Sequence, residues 1–313
     1  MAKFALATTL LVLSTLVSAT PTSPKATAFR KLIGPWSSEA IGHDQYTLHN
    51  YHEKYVILKA SGSQTTQALF YDEGEKIISW TTQYNWKKNF IKSYAHVALE
   101  NGIRKNVNSI SEIPTRWSWK YDSVPNPLIG SGGSAPLIAD VSYTLWLSSK
   151  PESGPESPSS TIKVQIWLSN HGAKPTGSRV KEPATIDIGG LEWELYNGKE
   201  KHWRIFTFVA TSEQQKYNAD LKLFLTYLST SHKVDLNHYL VAVQAGTEPF
   251  QGMYTVASMI ALVDHNHSYR SRYFDYYRLH CQDSRSGFNL WFGFINITKW
   301  LTVVAEAQRF RVQ

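Results

Sequence analysis

The nine residues Ser160-Thr161-Ile162-Lys163-Val164-Gln165-Ile166-Trp167-Leu168 alternate strictly. In an extended chain Ile162, Val164, Ile166 and Leu168 fall on one face, and Lys163, Gln165 and Trp167 on the other. The apolar face must be core. The opposite face sets a cation, an amide and an indole side by side, a set that suits the floor of a groove better than plain solvent. A second apolar stretch, Tyr239-Leu240-Val241-Ala242-Val243-Gln244-Ala245-Gly246-Thr247-Glu248-Pro249-Phe250, ends by presenting a carboxylate just before a proline expected to interrupt the ladder.

Strand-like patterns dominate the rest of the chain. They cover 79–86, 91–94, 113–121, 138–147 and 253–263, with an antiparallel pair expected from 186–196 and 203–210 around Asn197-Gly198. In 79–86, Trp80 and Trp86 can share a face, whereas Gln83 lies at an odd separation from both. The stretch 150–160, with Pro151, Pro155 and Pro158, reads as a hairpin loop. One helix is expected over about 218–229, where Leu221, Phe224, Leu225 and Leu228 recur at helical spacing.

Composition narrows the class. The first residues run from Lys3 through an apolar stretch to Val17-Ser18-Ala19, a signal-peptide pattern too short for a good membrane span. Secretion is the expectation, and Cys281, as the one cysteine, allows no internal disulfide. The net charge of +7 is not a nucleic-acid footprint. Residues 265–313 hold seven Lys/Arg against three Asp/Glu, and with Lys3 also set aside only +2 remains for the body, with no basic stripe. That tail combines Tyr/Arg clusters, both glycosylation sequons (Asn266 and Asn296) and an interrupted apolar run poor for a bilayer span. The 11 Trp and 17 Tyr suit stacking on pyranose rings and suit an all-β core as well.

The two opening stretches resemble the catalytic strands of glycoside hydrolase family 12, the endo-β-1,4-glucanases and xyloglucan-specific endoglucanases. Ala245-Gly246-Thr247-Glu248-Pro249-Phe250 matches the strand that carries the family's general acid/base, which the resemblance puts at Glu248. Ile166-Trp167-Leu168 matches the end of the nucleophile strand, and there the nucleophile position is Lys163. The stretch Ala139-Asp140-Val141-Ser142-Tyr143-Thr144 is similar to the family's Ala-Asn/Asp-Val-Ser-Tyr-Asp, with Thr144 in place of the Asp that assists the nucleophile. Asn50-Tyr51-His52-Glu53 stands where members carry Asn-Leu-Trp, so that sugar platform is missing.

The resemblance implies an all-β, two-sheet antiparallel jelly-roll sandwich of the concanavalin-like kind, with a concave glucan cleft and one helix. The expected organisation is a signal peptide over 1–19, the jelly roll over 20–264 and an atypical extension over 265–313. Residues expected to touch a glucan are Trp86, Gln165, Trp167, Gln244, Pro249 and Phe250, and no metal or cofactor is expected. The implied partner is β-1,4-glucan or xyloglucan, with a protein inhibitor or receptor of active homologues as a further possibility, on a secreted monomer without stable membrane insertion.

The chemistry carries a conflict. A retaining glycosidase needs two carboxyls roughly 5 Å apart, one attacking the anomeric carbon and one protonating the leaving oxygen. A lysine ammonium does not form and release a glycosyl ester. Impaired catalysis is therefore expected, with a retaining endoglucanase using a displaced carboxylate as the alternative. Asp140, Glu152 and Glu156 are the carboxyls weighed for that role. Asp140 lies four residues, roughly 13 Å, along the strand from Thr144, and Glu152 and Glu156 reach the cleft only if their loop folds back.

Overall fold

The computed structural model describes residues 29–53, 62–87, 91, 93–123 and 136–262. All belong to the first of the chain's two units, Met1–Asn266; the second, His267–Gln313, lies outside them, as do the signal-peptide and tail expectations.

Sixteen strands and one α-helix follow in order: β1 (Lys31–Leu32), β2 (Ser38–Ile41), β3 (Tyr46–His52), β4 (Gly62–Asp72), β5 (Ile77–Trp86), β6 (Ser93–Leu99), β7 (Lys105–Asn106), β8 (Pro114–Ser123), β9 (Ile138–Ser148), β10 (Ser160–His171), β11 (Ser178–Arg179), β12 (Ile186–Ile188), β13 (Leu191–Glu200), β14 (Trp203–Ala210), β15 (Lys216–Asp220), α1 (Lys222–His232) and β16 (Tyr239–Leu262). One layer runs β1-β4-β5-β16-β8-β15. The other runs β2-β3-β6-β16-β9-β10-β14-β13, with β11 and β12 on β13. The named strand pairs are antiparallel except β10 with β14. This is the expected jelly-roll sandwich, with one α-helix among the described residues.

Strand β16 joins the layers. Its first half pairs with β6 and β9, its second with β5 and β8. Pro249 does not interrupt the ladder as expected. It stays in register opposite Ala139, and the irregularity falls just beyond, between Pro249 and Gln251, with Gly252 at φ +122°. A bulge there lets the strand bend from one layer to the other without ending.

Alternation sets the interior. Val141, Tyr143, Leu145 and Leu147 of β9, and Ile162, Val164, Ile166 and Leu168 of β10, are buried with Trp80, Trp117 and Trp119 of the facing layer in one core. The expectation for β5 holds, Trp80 and Trp86 being buried and Gln83 exposed. Helix α1 begins later than the spacing suggests because Lys216–Asp220 is claimed by pairing with β8. Asp220 Oδ1 then accepts the Lys222 N–H at 2.9 Å at the helix start. Leu221, Phe224, Leu225 and Leu228 are buried as expected, and Phe224 meets Trp193 and Phe208 edge-on, each at 5.0 Å.

The β13–β14 turn is Lys201-His202, not Asn197-Gly198: Glu200 pairs with Trp203 and Lys201 adopts φ +53°. Gly198 instead lies inside β13, where a Cβ would come within 2.8 Å of Gly177 Cα. Asn-Gly here marks a close crossing of two backbones, a use of glycine the dipeptide pattern alone does not separate from a turn.

Candidate active site

The face of β9, β10 and β16 turned away from the core carries the polar residues. Across β16, β9 and β10 the register sets Gln244, Thr144 and Gln165 in one row, Gly246, Ser142 and Trp167 in the next, and Glu248 opposite Asp140. β6 continues the surface, with His96 beside Gly246, and β3 extends it with His49 beside His96 and Tyr51 beside Tyr94. The glycine at 246 is a packing requirement, since a Cβ there would collide with the Ala95 carbonyl oxygen and approach His96 Cβ at 2.7 Å.

Glu248 is the hub, and it is only 5% exposed. The Gln165 amide donates to Oε1 and Oε2 at 3.3 and 3.4 Å, and Lys163 Nζ stands 3.9 Å from Oε1. The orientation of Gln165 is set from behind by Thr207 Oγ1, which donates to its Oε1 at 3.3 Å. Beside this group His96 Nδ1 bonds the Tyr94 carbonyl at 2.7 Å, which makes it the protonated nitrogen and leaves Nε2 to accept from Gln244 at 3.0 Å. Burial first, then the neighbouring His49, hold His96 well below the ordinary histidine value, and burial brings His49 to about 4. The stacked His49, His96 and Tyr94 rings are thus an uncharged part of the floor at neutral pH.

Two further carboxyls on this face have shifted proton affinities. Asp140 is fully buried; Ser142 Oγ donates to its Oδ1 at 2.7 Å, and its Oδ2 has no hydrogen-bond partner among the described residues. Burial, and then the Glu248 charge, raise its pKa well above the usual 3.8. Burial and the neighbouring negative charge both favour the protonated form of this carboxyl. Glu53 follows β3 on the same face as His49 and Tyr51, half-buried. Burial, then Glu156 and Glu248, raise it to about 7, with Lys163 opposing.

Aromatic clusters flank the polar centre. Trp146, in register with Lys163, meets Trp203 edge-on at 5.1 Å, and the Lys163 ammonium lies 5.7 Å from the Trp146 ring centre. On the other side Trp167 and Phe250 pack with Ala173 and Val209. The structure thus brings together Lys163, Thr144, Gln165, Gln244 and Glu248, with Trp167, Phe250 and Pro249 adjoining. Trp86 does not join them: it is 3% exposed in the cluster of Tyr84 and Val256, edge-on to His52 at 5.5 Å. Its even-numbered face on β5 points between the layers, a distinction that needs the identity of the facing sheet. Among the described residues no group of three or more His, Cys, Asp or Glu could hold a metal.

Asp140 and Glu53 are what sequence reasoning underweighted. The 13 Å separation placed Asp140 against Thr144 on its own strand, whereas its neighbour across the ladder is Glu248. For Glu53 the signal was present: His49, Tyr51 and Glu53 alternate with buried Leu48, Asn50 and His52. Glu156, paired with Lys201 at 3.3 Å, is exposed, yet its charge acts on Glu53.

The glycosyl hydrolase family 12 profile matches residues 46–264, well over half of the chain. The chain belongs to glycosyl hydrolase family 12. A xyloglucan-specific endo-beta-1,4-glucanase A of Aspergillus aculeatus is 34% identical to this family-12 protein over 246 residues, 78% of this chain and 92% of the relative. A xyloglucan-specific endo-beta-1,4-glucanase 1 of Phytophthora sojae is 36% identical over 216 residues, 66% of this chain and 81% of the relative. Among solved structures, Trichoderma harzianum endoglucanase 3 superposes with a TM-score of 0.65 at 27% identity, over 77% of this chain and all of the other.

Asp140 gives a prediction on stability. An aspartate whose folded-state pKa is raised lends stability at low pH and loses it as the pH climbs from the unfolded value of 3.8 towards the folded one. An asparagine at this position would keep an acceptor for Ser142 without titrating. The Asp140→Asn variant should therefore match the wild type near pH 4 and exceed it increasingly above, by about 1.4 kcal/mol per pH unit while Asp140 keeps its proton. Thermal unfolding from pH 4 to 8 measures this, and an offset equal at both ends would refute the assignment of the proton.

Proposed function

We propose that this is a secreted, monomeric family-12 protein that grips β-1,4-glucan or xyloglucan across the outer face of the β9–β10–β16 layer, with the family's double-displacement hydrolysis closed. The observation that carries the reading is the 3.9 Å Lys163–Glu248 contact. If Lys163 stands at the nucleophile position and Glu248 at the acid/base position, an ammonium–carboxylate pair occupies the place of two reacting carboxyls. An ammonium cannot form the ester-linked intermediate that the mechanism passes through. Thr144, at the position of the assisting Asp, removes the group that would tune such a nucleophile.

Binding has separate support. The amides of Gln165 and Gln244 converge beside Glu248, and the buried pairs Trp146 with Trp203 and Trp167 with Phe250 pack on either side and fix the floor that carries them, an arrangement that suits the hydroxyls of a glucan. Secretion rests on the N-terminal pattern ending at Ala19. Calorimetric titration with xyloglucan and cello-oligosaccharides tests the reading. Saturable binding, weakened about tenfold or more by Gln165→Ala as two bonds to a charged group and its sugar contacts are lost, is the expected result; no binding of either polymer class overturns it.

A further inference from the structure

We infer that Lys163 makes this cleft a receptor for anionic β-1,4-glucan, a chain whose end carries a carboxylate over the Lys163 ammonium, as an aldonic acid does. The inference rests on the reading of this face as a glucan cleft with position 163 beneath the anomeric carbon. It goes beyond that reading by naming the class of ligand.

The donors on this floor are not used up. Lys163 lies between Ile162 and Val164, both buried in the core, and its ammonium stands 5.7 Å from the Trp146 ring centre. Its side chain is 18% exposed, so a bound chain can touch it. An ammonium has three N–H groups. The acidic contact here is Glu248 Oε1 at 3.9 Å, longer than a hydrogen bond. Gln165 Nε2 divides itself between the two Glu248 oxygens at 3.3 and 3.4 Å, both long for an N–H donor. In the same floor Thr144 Oγ1, in register with Gln165, and Trp167 Nε1 are buried without a partner among the described residues. A sugar hydroxyl donates as well as accepts. The group that matches a floor of unspent donors and one cation is an ionised carboxylate, which only accepts.

Position then selects the kind of carboxylate. A glycosidase nucleophile attacks C1, so an ammonium at that position faces C1. Oxidation of a glucan chain at C1 turns that carbon into the carboxylate of an aldonate. Bound in the register of an ordinary chain, the carboxylate meets Lys163 Nζ and Gln165 Nε2, which stand 3.9 and 3.3 Å from the same Glu248 oxygen.

Neighbouring carboxyls set the opposition. Glu248 is within the same reach and repels the anion. Asp140 adds little, because burial and then the Glu248 charge favour its neutral form. Glu53, raised to about 7, loses its charge in mildly acidic solution.

Calorimetric titration at mildly acidic pH and low salt, with cellotetraose, cellotetraonic acid and a cello-oligosaccharide oxidised to glucuronate at C6, tests the inference. The aldonate should bind about tenfold more tightly than the neutral chain, the worth of one hydrogen bond to a charged group, and the preference should shrink as salt is added. Lys163→Gln should bring the ratio of the two affinities to about one or below. Glu248→Gln should widen it by removing the opposing charge. A ratio of affinities does not depend on how much of a variant is folded. Equal affinity for the neutral and aldonate chains, tighter binding of the C6-oxidised chain than of the aldonate, or a preference that survives Lys163→Gln overturns the inference while leaving the binding reading intact. Absence of binding by all three overturns both.

Discussion

Replacing Lys163 by glutamate is expected to raise the release of β-anomeric reducing ends from xyloglucan by about 10³-fold or more, since restoring one essential member of a catalytic pair recovers a factor in the range of roughly 10⁴–10⁶ lost with it. The gain depends on what is already in place. Gln165 holds Glu248 by two bonds and is itself oriented by Thr207, so the Glu248 side of the site is preformed. Position 163 is 18% exposed at the side chain and 3.9 Å from Glu248, so a shorter carboxylate there faces Glu248 across a gap. Adding Thr144→Asp should increase the gain further, because Thr144 lies in register with Gln165, one alternation from 163. Reducing-end assays on the wild type and on the single and double variants measure it. A Lys163→Glu variant that binds oligosaccharide yet stays at the wild-type rate would mean that position 163 is not the nucleophile position.

The Trp193→Ala variant is expected to lose about 3–5 kcal/mol of stability, the usual cost of emptying a fully buried aromatic site. Trp193 has no exposed surface and meets Phe224 edge-on at 5.0 Å and Tyr217 at 6.0 Å, so it ties helix α1 and β15 to β13. Its Nε1 also donates to the Ile188 carbonyl at 3.2 Å, and removing it leaves a buried acceptor unmet. For a domain of this size the loss corresponds to a fall in Tm of roughly 6–20 °C. Leu69→Ser, at a side chain 53% exposed, should change stability by less than about 0.5 kcal/mol. Thermal unfolding of both distinguishes a keystone in the core from a generally soft sheet, which would show similar losses at both positions.

Much of the fold was legible because a strand's two-residue period survives in the sequence wherever one face meets the core. β9 and β10 read correctly residue by residue, and so did the buried face of α1. The misreadings share a cause, which is that a local pattern was decided by a distant partner. Asn197-Gly198 reads as a turn until Gly177 crosses it, Pro249 reads as a stop until β16 bends between layers, and 218–220 reads as helix until β8 claims it.

The candidate site shows the same division. Lys163, Gln165 and Glu248 could be placed from their own strands, since each sits on a face whose opposite side is plainly apolar. Trp86 alternates just as cleanly, but its strand belongs to the facing layer, and the sequence does not say which sheet a strand joins. Asp140 gains its meaning only from its cross-strand neighbour through the β9–β16 register, and Glu53 from burial and charges carried by other elements. Proton affinities are still less legible, because burial is the largest cause of both shifts.

The claim on which the account turns is that no covalent glycosyl-enzyme forms at position 163. Incubation with a 2-deoxy-2-fluoro cello-oligosaccharide bearing an activated leaving group, followed by intact mass and peptide mapping, tests it directly. The account predicts an unmodified wild-type protein and a Lys163→Glu variant that gains one glycosyl mass on residue 163. A glycosyl adduct on any carboxyl of the wild-type protein would contradict it.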